Sequence, residues 1–123
     1  MPGTYGIARF APDARIPVDY TGSFFYTISK TDQEVSLVCE EKYLGTDLKA
    51  ERGRRLMRVE STLAFSLTGI VASLASPLAE AAVSIFVVST YDTDYLLIRD
   101  EDLEKATAAL ERAGHKIQRG KSA

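Results

Sequence analysis

The stretch Val83-Ser84-Ile85-Phe86-Val87-Val88-Ser89-Thr90-Tyr91-Asp92-Thr93-Asp94-Tyr95-Leu96-Leu97-Ile98-Arg99 decides how the rest of the chain is read. Two apolar runs, 83–90 and 95–99, flank the polar turn Tyr91-Asp92-Thr93-Asp94, which is the pattern of a β-hairpin. The first run is apolar on both parities, with Val83, Ile85 and Val87 on one face and Phe86 and Val88 on the other. Such a strand is expected to be covered on two sides. Upstream, Ile70, Val71, Leu74, Ala75 and Leu78 recur at helical spacing and predict a helix with one apolar stripe. Ser66 or Thr68 offers its cap, and Pro77 inside it predicts a kink or a loosened turn. Before that helix, Leu56-Met57-Arg58-Val59-Glu60 reads as a strand. Downstream, Asp100 is placed to cap a last helix whose buried face holds Leu103, Ala106, Thr107 and Leu110. Gly114 is its natural stop, and His115-Lys116-Ile117-Gln118 reads as a final strand.

The order from 56 to 118 is therefore βαββαβ, the split-βαβ or ferredoxin-like order of an α+β fold. A right-handed crossover from strand 56–60 to strand 83–90 puts residues 66–70 and 90–94 at one end of the sheet. Both helices are expected on one face. Leu74, Leu78, Ile85, Val87, Leu97 and Leu110 are the expected core.

The first half has a different texture. Strand-type runs stand at 4–10, 24–29 and 35–39, and Lys30-Thr31-Asp32-Gln33 makes the last two a hairpin. Pro12, Pro17 and Gly22 exclude a regular element from 11–23. Glu40 to Leu44 has room for one helical turn. The basic run Arg52, Arg54, Arg55 and Arg58 reads as a solvated connection flanking a strand. These boundaries divide the chain into a strand-rich half, 1–53, and a βαββαβ domain, 54–123.

Composition excludes several classes of function. The chain has 123 residues, 46% of them hydrophobic, with 15 Lys and Arg against 17 Asp and Glu. That is one ordinary domain's length, with no field favouring nucleic acid or an anionic membrane. The run Ile85-Phe86-Val87-Val88 is far short of the ~20 apolar residues of a membrane span. The start of the chain lacks the pattern of a signal peptide, and one cysteine, Cys39, fits a reducing compartment, so the cytoplasm is expected. Cys39 alternates with apolar residues and reads as core. No spacing of His, Cys or carboxylates suggests a metal, no Gly-rich phosphate loop suggests a nucleotide, and no nucleophile–base pair suggests an enzyme. No cofactor is expected.

The runs Ser66-Leu67-Thr68-Gly69-Ile70-Val71-Ala72-Ser73-Leu74-Ala75-Ser76-Pro77-Leu78-Ala79-Glu80 and Ser84-Ile85-Phe86-Val87-Val88-Ser89-Thr90-Tyr91-Asp92-Thr93-Asp94-Tyr95 together resemble ACT domains. These are small regulatory modules that bind amino acids, as in aspartokinase. Within them the chain is most similar to the bacterial single-chain group related to the CASTOR arginine sensors, with their Ser-Thr-aromatic-x-x-Asp turn. The resemblance covers about 54–118 by motif and implies a ferredoxin-like ACT domain there. It implies a degenerate ACT-like unit in the first half. Ala81-Ala82 stand where many ACT domains carry glycine, and Ala72-Ser73 where the arginine sensors carry an acidic residue. The implied ligand is an amino acid or similar small zwitterion, and the implied assembly a homodimer. With no effector domain in the chain, a regulatory output would act on a separate protein.

The residues agree with such a site. A helix start at Thr68-Gly69-Ile70 presents backbone N–H groups and a positive dipole end to a carboxylate, and Gly69 permits close approach. Asp94 offers a counter-charge to an ammonium, Thr90 a hydroxyl, and Tyr91 an aromatic lid. Each also has a plainer role. Thr68 is a helix cap, Gly69 eases entry, Asp92 forms the turn, and an aromatic in a turn is usually packed. An amino-acid-binding regulatory module is thus the first expectation. A protein-interaction or dimerisation module that binds no metabolite is the alternative.

Overall fold

The computed structural model describes residues 3–59 and 67–117, with the backbone alone for 67–71. The chain falls into two compact units, Gly3–Arg54 and a second that begins at Arg55.

The first unit holds β1 (Tyr5–Phe10), β2 (Thr27–Lys30), β3 (Val35–Glu40), a 3-10 turn at Glu41–Tyr43, and the opening residues of β4 (Ala50–Arg58). Its strand order is β2-β3-β1-β4. β2 and β3 pair antiparallel from Thr27↔Val38 to Lys30↔Val35, so the expected hairpin is present, but its first arm runs over 27–30 and not 24–29, and the turn is 31–34. The order is that of a ferredoxin-like sheet whose two crossover helices have shrunk, the first to the irregular segment 11–23 and the second to the 3-10 turn. The prolines explain the first loss, because each removes a helical donor. Ala8, Leu37, Cys39 and Leu44 form the buried centre, with Ile16, Val18 and Tyr20 from the irregular segment packed on it. A helix is absent there, yet its apolar cover remains.

The basic run is not a solvated connection. It lies in β4, and Arg54 is buried with its guanidinium 2.9 Å from Glu51. Arg52 donates to the Leu48 carbonyl, and Arg55 meets Asp100 at 3.1 Å. The pairing of β1 with β4 skips a residue between Tyr5↔Arg54 and Ile7↔Glu51, and Gly53 at φ +74° lies in that skip. It is a β-bulge, where glycine takes the left-handed backbone at no steric cost.

Cys39 is buried as expected. Burial first, and the adjacent Glu40 carboxylate second, push its thiol up to about 11. The unfolded thiol ionises near ~8.5, so the unfolded chain loses its proton first as pH rises. Stability from this group is whole below that value and is lost as pH climbs towards 11. Unfolding midpoints should fall across this window, and Cys39→Val should remove that part of the decline. An identical alkaline decline in the variant would contradict the burial argument.

The second unit carries the end of β4, α1 (Leu67–Glu80), β5 (Ile85–Ser89), β6 (Asp94–Arg99), a 3-10 turn at Asp100–Asp102, and α2 (Leu103–Arg112). The strand order β4-β6-β5 is the ferredoxin-like one, and β5 pairs antiparallel with β6 from Ile85↔Ile98 to Ser89↔Asp94. Leu74 and Leu78 from α1, Ala106 and Leu110 from α2, and Leu96 and Ile98 from β6 share one buried cluster. Both helices therefore cover one face, as their stripes predict. Of the expected core, Leu74, Leu78, Leu97 and Leu110 are buried, whereas Ile85 is half-buried and Val87 is 39% exposed. The doubly covered strand is thus a correction. β5 is the outermost strand of its order, and an edge strand has a neighbour on one flank only.

The ends of this unit differ from the sequence expectation in three places. Residues 115–117 form no strand, and Gln118 lies outside the described residues. Asp100 does not cap α2, because its carboxylate is taken by Arg55 and the chain spends one 3-10 turn before Leu103. Thr68 is the second residue of α1 and so sits past the capping position, while Ser66 lies outside the described residues.

Both helices end in the same way. His115 N–H donates to Leu110 and Gly114 N–H to Glu111, with Gly114 at φ +96°. Val83 N–H donates to Leu78 and Ala82 N–H to Ala79, with Ala82 at φ +60°. These are paired Schellman closures, and one of them uses alanine where glycine is preferred. A left-handed non-glycine residue costs about 1–2 kcal/mol, partly offset by glycine's extra unfolded entropy. Ala82→Gly should stabilise the chain by about 0.5–1 kcal/mol in urea unfolding. A destabilisation would contradict it. Pro77 stands in the last turn of α1, which continues to Glu80. Proline has no N–H for the Ser73 carbonyl four residues back, and the His115 ring donates to that oxygen at 3.0 Å.

Candidate functional site at the hairpin and helix start of the second unit

The hairpin that decides the fold closes one residue earlier than its sequence suggests. Ser89 ends β5, Thr90–Thr93 form the turn, and Asp94 opens β6. Thr90 N–H donates to the Thr93 carbonyl at 2.7 Å, the Thr90 hydroxyl donates to the same oxygen at 3.0 Å, and the Thr93 N–H returns to that hydroxyl at 3.0 Å. The threonine clasps its own turn. Tyr91 projects fully into solvent, so it is neither packed nor folded over as a lid. Asp92 is exposed beside it.

Asp94 is half-buried, and its Oδ1 accepts the Ser89 hydroxyl at 2.5 Å. Its carbonyl accepts the Val59 N–H at 2.9 Å, which ties the exit of β4 to the hairpin end of the sheet. α1 returns to the start of β5, so the chain order turns its first residues towards that same end. Thr68, Gly69 and Ile70 are helical in backbone, in the first turn of α1. The first N–H groups of a helix have no partner within it.

A second hairpin, in the first unit, serves as an internal control. Thr31 N–H donates to the Glu34 carbonyl at 2.9 Å, the Thr31 hydroxyl approaches the same oxygen at 3.5 Å, and the Glu34 N–H donates back to it at 3.1 Å. This is the clasp of Thr90 repeated. The closing pair is Lys30↔Val35 there and Ser89↔Asp94 here. Two conclusions follow. Thr90's hydroxyl is explained by the turn alone, whereas Asp94 is not, because the same turn closes with valine in that position. The sequence reading missed Ser89; the signal was available in the hairpin register, had the turn been placed at 90–93.

Among the described residues, no three His, Cys, Asp or Glu side chains gather as metal ligands, and no helix is long and apolar enough to cross a membrane.

Comparison with known proteins agrees with this fold. The ACT domain family matches residues 49–112, and a family describing an N-terminal domain matches residues 3–47. The chain belongs to the ACT domain family. It is 48% identical over 40 residues to the human cytosolic arginine sensor for mTORC1 subunit 1, covering 32% of this chain and 12% of that protein. The Bos taurus sensor is 43% identical over 49 residues, 40% of this chain and 15% of that protein. The chain therefore aligns with only a small part of these sensors. A crystal structure of an Agobacterium tumefaciens protein is 41% identical, with a TM-score of 0.89 over 95% of this chain and 87% of that one. The regulatory subunit of aspartate kinase from Thermus thermophilus, 10% identical, has a TM-score of 0.60 over 93% of this chain and 94% of that one. At that identity it bears on the fold alone.

Proposed function

We propose that the second unit is a non-catalytic regulatory module that binds a free α-amino acid or a similar small zwitterion. The ligand's carboxylate meets the backbone N–H groups near Gly69 and Ile70, with Thr68 beside them, and its ammonium faces Asp94. Thr90 and Tyr91 border the site. The observation that carries this reading is the contrast between the two hairpins. Thr31 and Thr90 close them alike, yet only the second follows its turn with a carboxylate at the end of the sheet from which α1 is entered. Membership of the ACT family supports it, as does the partial likeness to sensors whose name records arginine.

On this reading residues 1–53 are a strand-rich, ACT-like half and 54–123 the ACT domain that binds the ligand. The module works in the cytoplasm as a homodimer, and its output acts on a regulated protein. A thermal-shift series with each of the twenty amino acids tests it. Ligand binding to the folded state adds RT ln(1 + [L]/Kd), about 2.7 kcal/mol at a hundred times Kd. One or a few amino acids should raise the midpoint.

A second reading, a protein-interaction module that binds no metabolite, has one observation in its favour. Phe24, Tyr26 and Ile28 are 73%, 42% and 43% exposed at alternate positions, Ile28 on the outermost strand of the first unit and the two aromatics in the segment that leads into it. Silence of all twenty amino acids would turn the case to it.

A further inference from the structure

We infer that Ser89 is a positioning residue for the amino-acid site, acting through Asp94; the inference rests on the proposed reading of that site. The geometry is specific. Ser89 and Asp94 are direct partners across the last pair of the hairpin, and the Ser89 hydroxyl donates to Asp94 Oδ1 at 2.5 Å. A hydroxyl given to one carboxylate oxygen fixes the plane of the group and turns the other oxygen to a defined direction. A free carboxylate on a strand end would sample several rotamers, and ordering it at the moment of binding would lower affinity.

The first unit argues against a merely structural role. Its hairpin has the same four-residue turn and the same threonine clasp, and its closing pair is Lys30↔Val35. There, both the hydroxyl and the carboxylate are missing, and the turn closes regardless. At the closing pair the two groups are thus present together in one unit and absent together in the other, where the serine–carboxylate bond of the hairpin runs from Ser36 to Glu34 of the same arm and not across the pair. The turn's own hydrogen bonds run through Thr90 and Thr93 and leave Ser89 out. What remains for the serine to hold is the carboxylate.

The test uses the full chain and four proteins: the parent, Ser89→Val, Ser89→Thr and Asp94→Asn. Valine and threonine have nearly the same shape and both suit a strand, so they differ in the hydroxyl and little else. The probe is whichever of the twenty amino acids, supplied singly at millimolar concentration, most raises the parent's melting midpoint. It is then titrated calorimetrically into each protein. Loss of a hydrogen bond to a charged group predicts affinity weakened roughly tenfold in Ser89→Val. Ser89→Thr should stay within about threefold of the parent, and the unliganded midpoints of both should match it. Parent-like binding by Ser89→Val, an equal loss in Ser89→Thr, or a fall in unliganded stability that accompanies the loss would each overturn the inference. If Asp94→Asn weakens binding while Ser89→Val does not, the site stands and the serine's role falls. If Asp94→Asn binds like the parent, or no amino acid stabilises the parent, the site reading fails and the inference with it.

Discussion

Truncation of Leu110 or Leu78 to alanine is expected to lower the free energy of unfolding by about 2–5 kcal/mol. Both side chains are essentially excluded from water and meet in the cluster that joins α1, α2 and β6. Removing three carbons there loses the transfer energy of burial and leaves a cavity that close-packed neighbours refill only in part. A domain's whole stability is of order 5–15 kcal/mol, so either change would consume a large share of it. Val87→Ala supplies the contrast. That residue looks equally apolar in sequence but is 39% exposed on the outer strand, so its loss should be under about 1 kcal/mol. Urea unfolding of the three variants checks the ordering. Losses below about 1 kcal/mol at both leucines would mean that the helix faces are wrongly placed.

What the residues made legible, and what they hid, follows from the range of the forces involved. The helix stripes and the 83–99 hairpin rest on periodicity within a few residues; the described part of each stripe and the pairing of the two strands follow the pattern, with the turn one residue earlier. β4 reads short in sequence, because Arg52, Arg54 and Arg55 look solvated until their partners Leu48, Glu51 and Asp100 are in view. Gly53 reads as a breaker but makes a bulge within the strand. The partner of Asp100 is Arg55, 45 residues away, and no local rule for helix caps could foresee it. Edge position is likewise a property of the whole sheet, so the exposure of Val87 was hidden.

Asp94→Asn is expected to weaken amino-acid binding roughly 10- to 150-fold while leaving the unliganded fold's stability nearly unchanged. Asparagine keeps the shape and one carbonyl oxygen, so it can still accept the Ser89 hydroxyl, but it offers no charge to an ammonium. A desolvated hydrogen bond with one charged partner removed typically costs about 1.5–3 kcal/mol, which sets that range. Asp92→Asn should change affinity far less, because Asp92 is exposed in the turn. Gly69→Val should also impair binding, through bulk at the helix start. Calorimetric titration with the stabilising amino acid separates these outcomes, and equal affinity for the parent and Asp94→Asn would remove Asp94 from the site.

The candidate site was only partly visible in sequence. The turn motif points to Thr90, Tyr91 and Asp94 together, and only the comparison with Thr31 and Val35 in the other unit separates the threonine, which the turn explains, from the aspartate, which it does not. Thr90 is occupied in closing its own turn. Tyr91 faces water, where a residue preference for packing would have placed it inside. Ser89 was overlooked because shifting a hairpin turn by one residue changes every cross-strand partner.

The most direct test is amide chemical-shift mapping of the whole chain during titration with the amino acid that most stabilises it. Shifts should concentrate at Gly69, Ile70 and the 89–94 hairpin, with the 30–35 hairpin unmoved. Shifts centred on residues 30–35 or on β2, or a saturating titration that leaves both Gly69 and Asp94 unchanged, would contradict it.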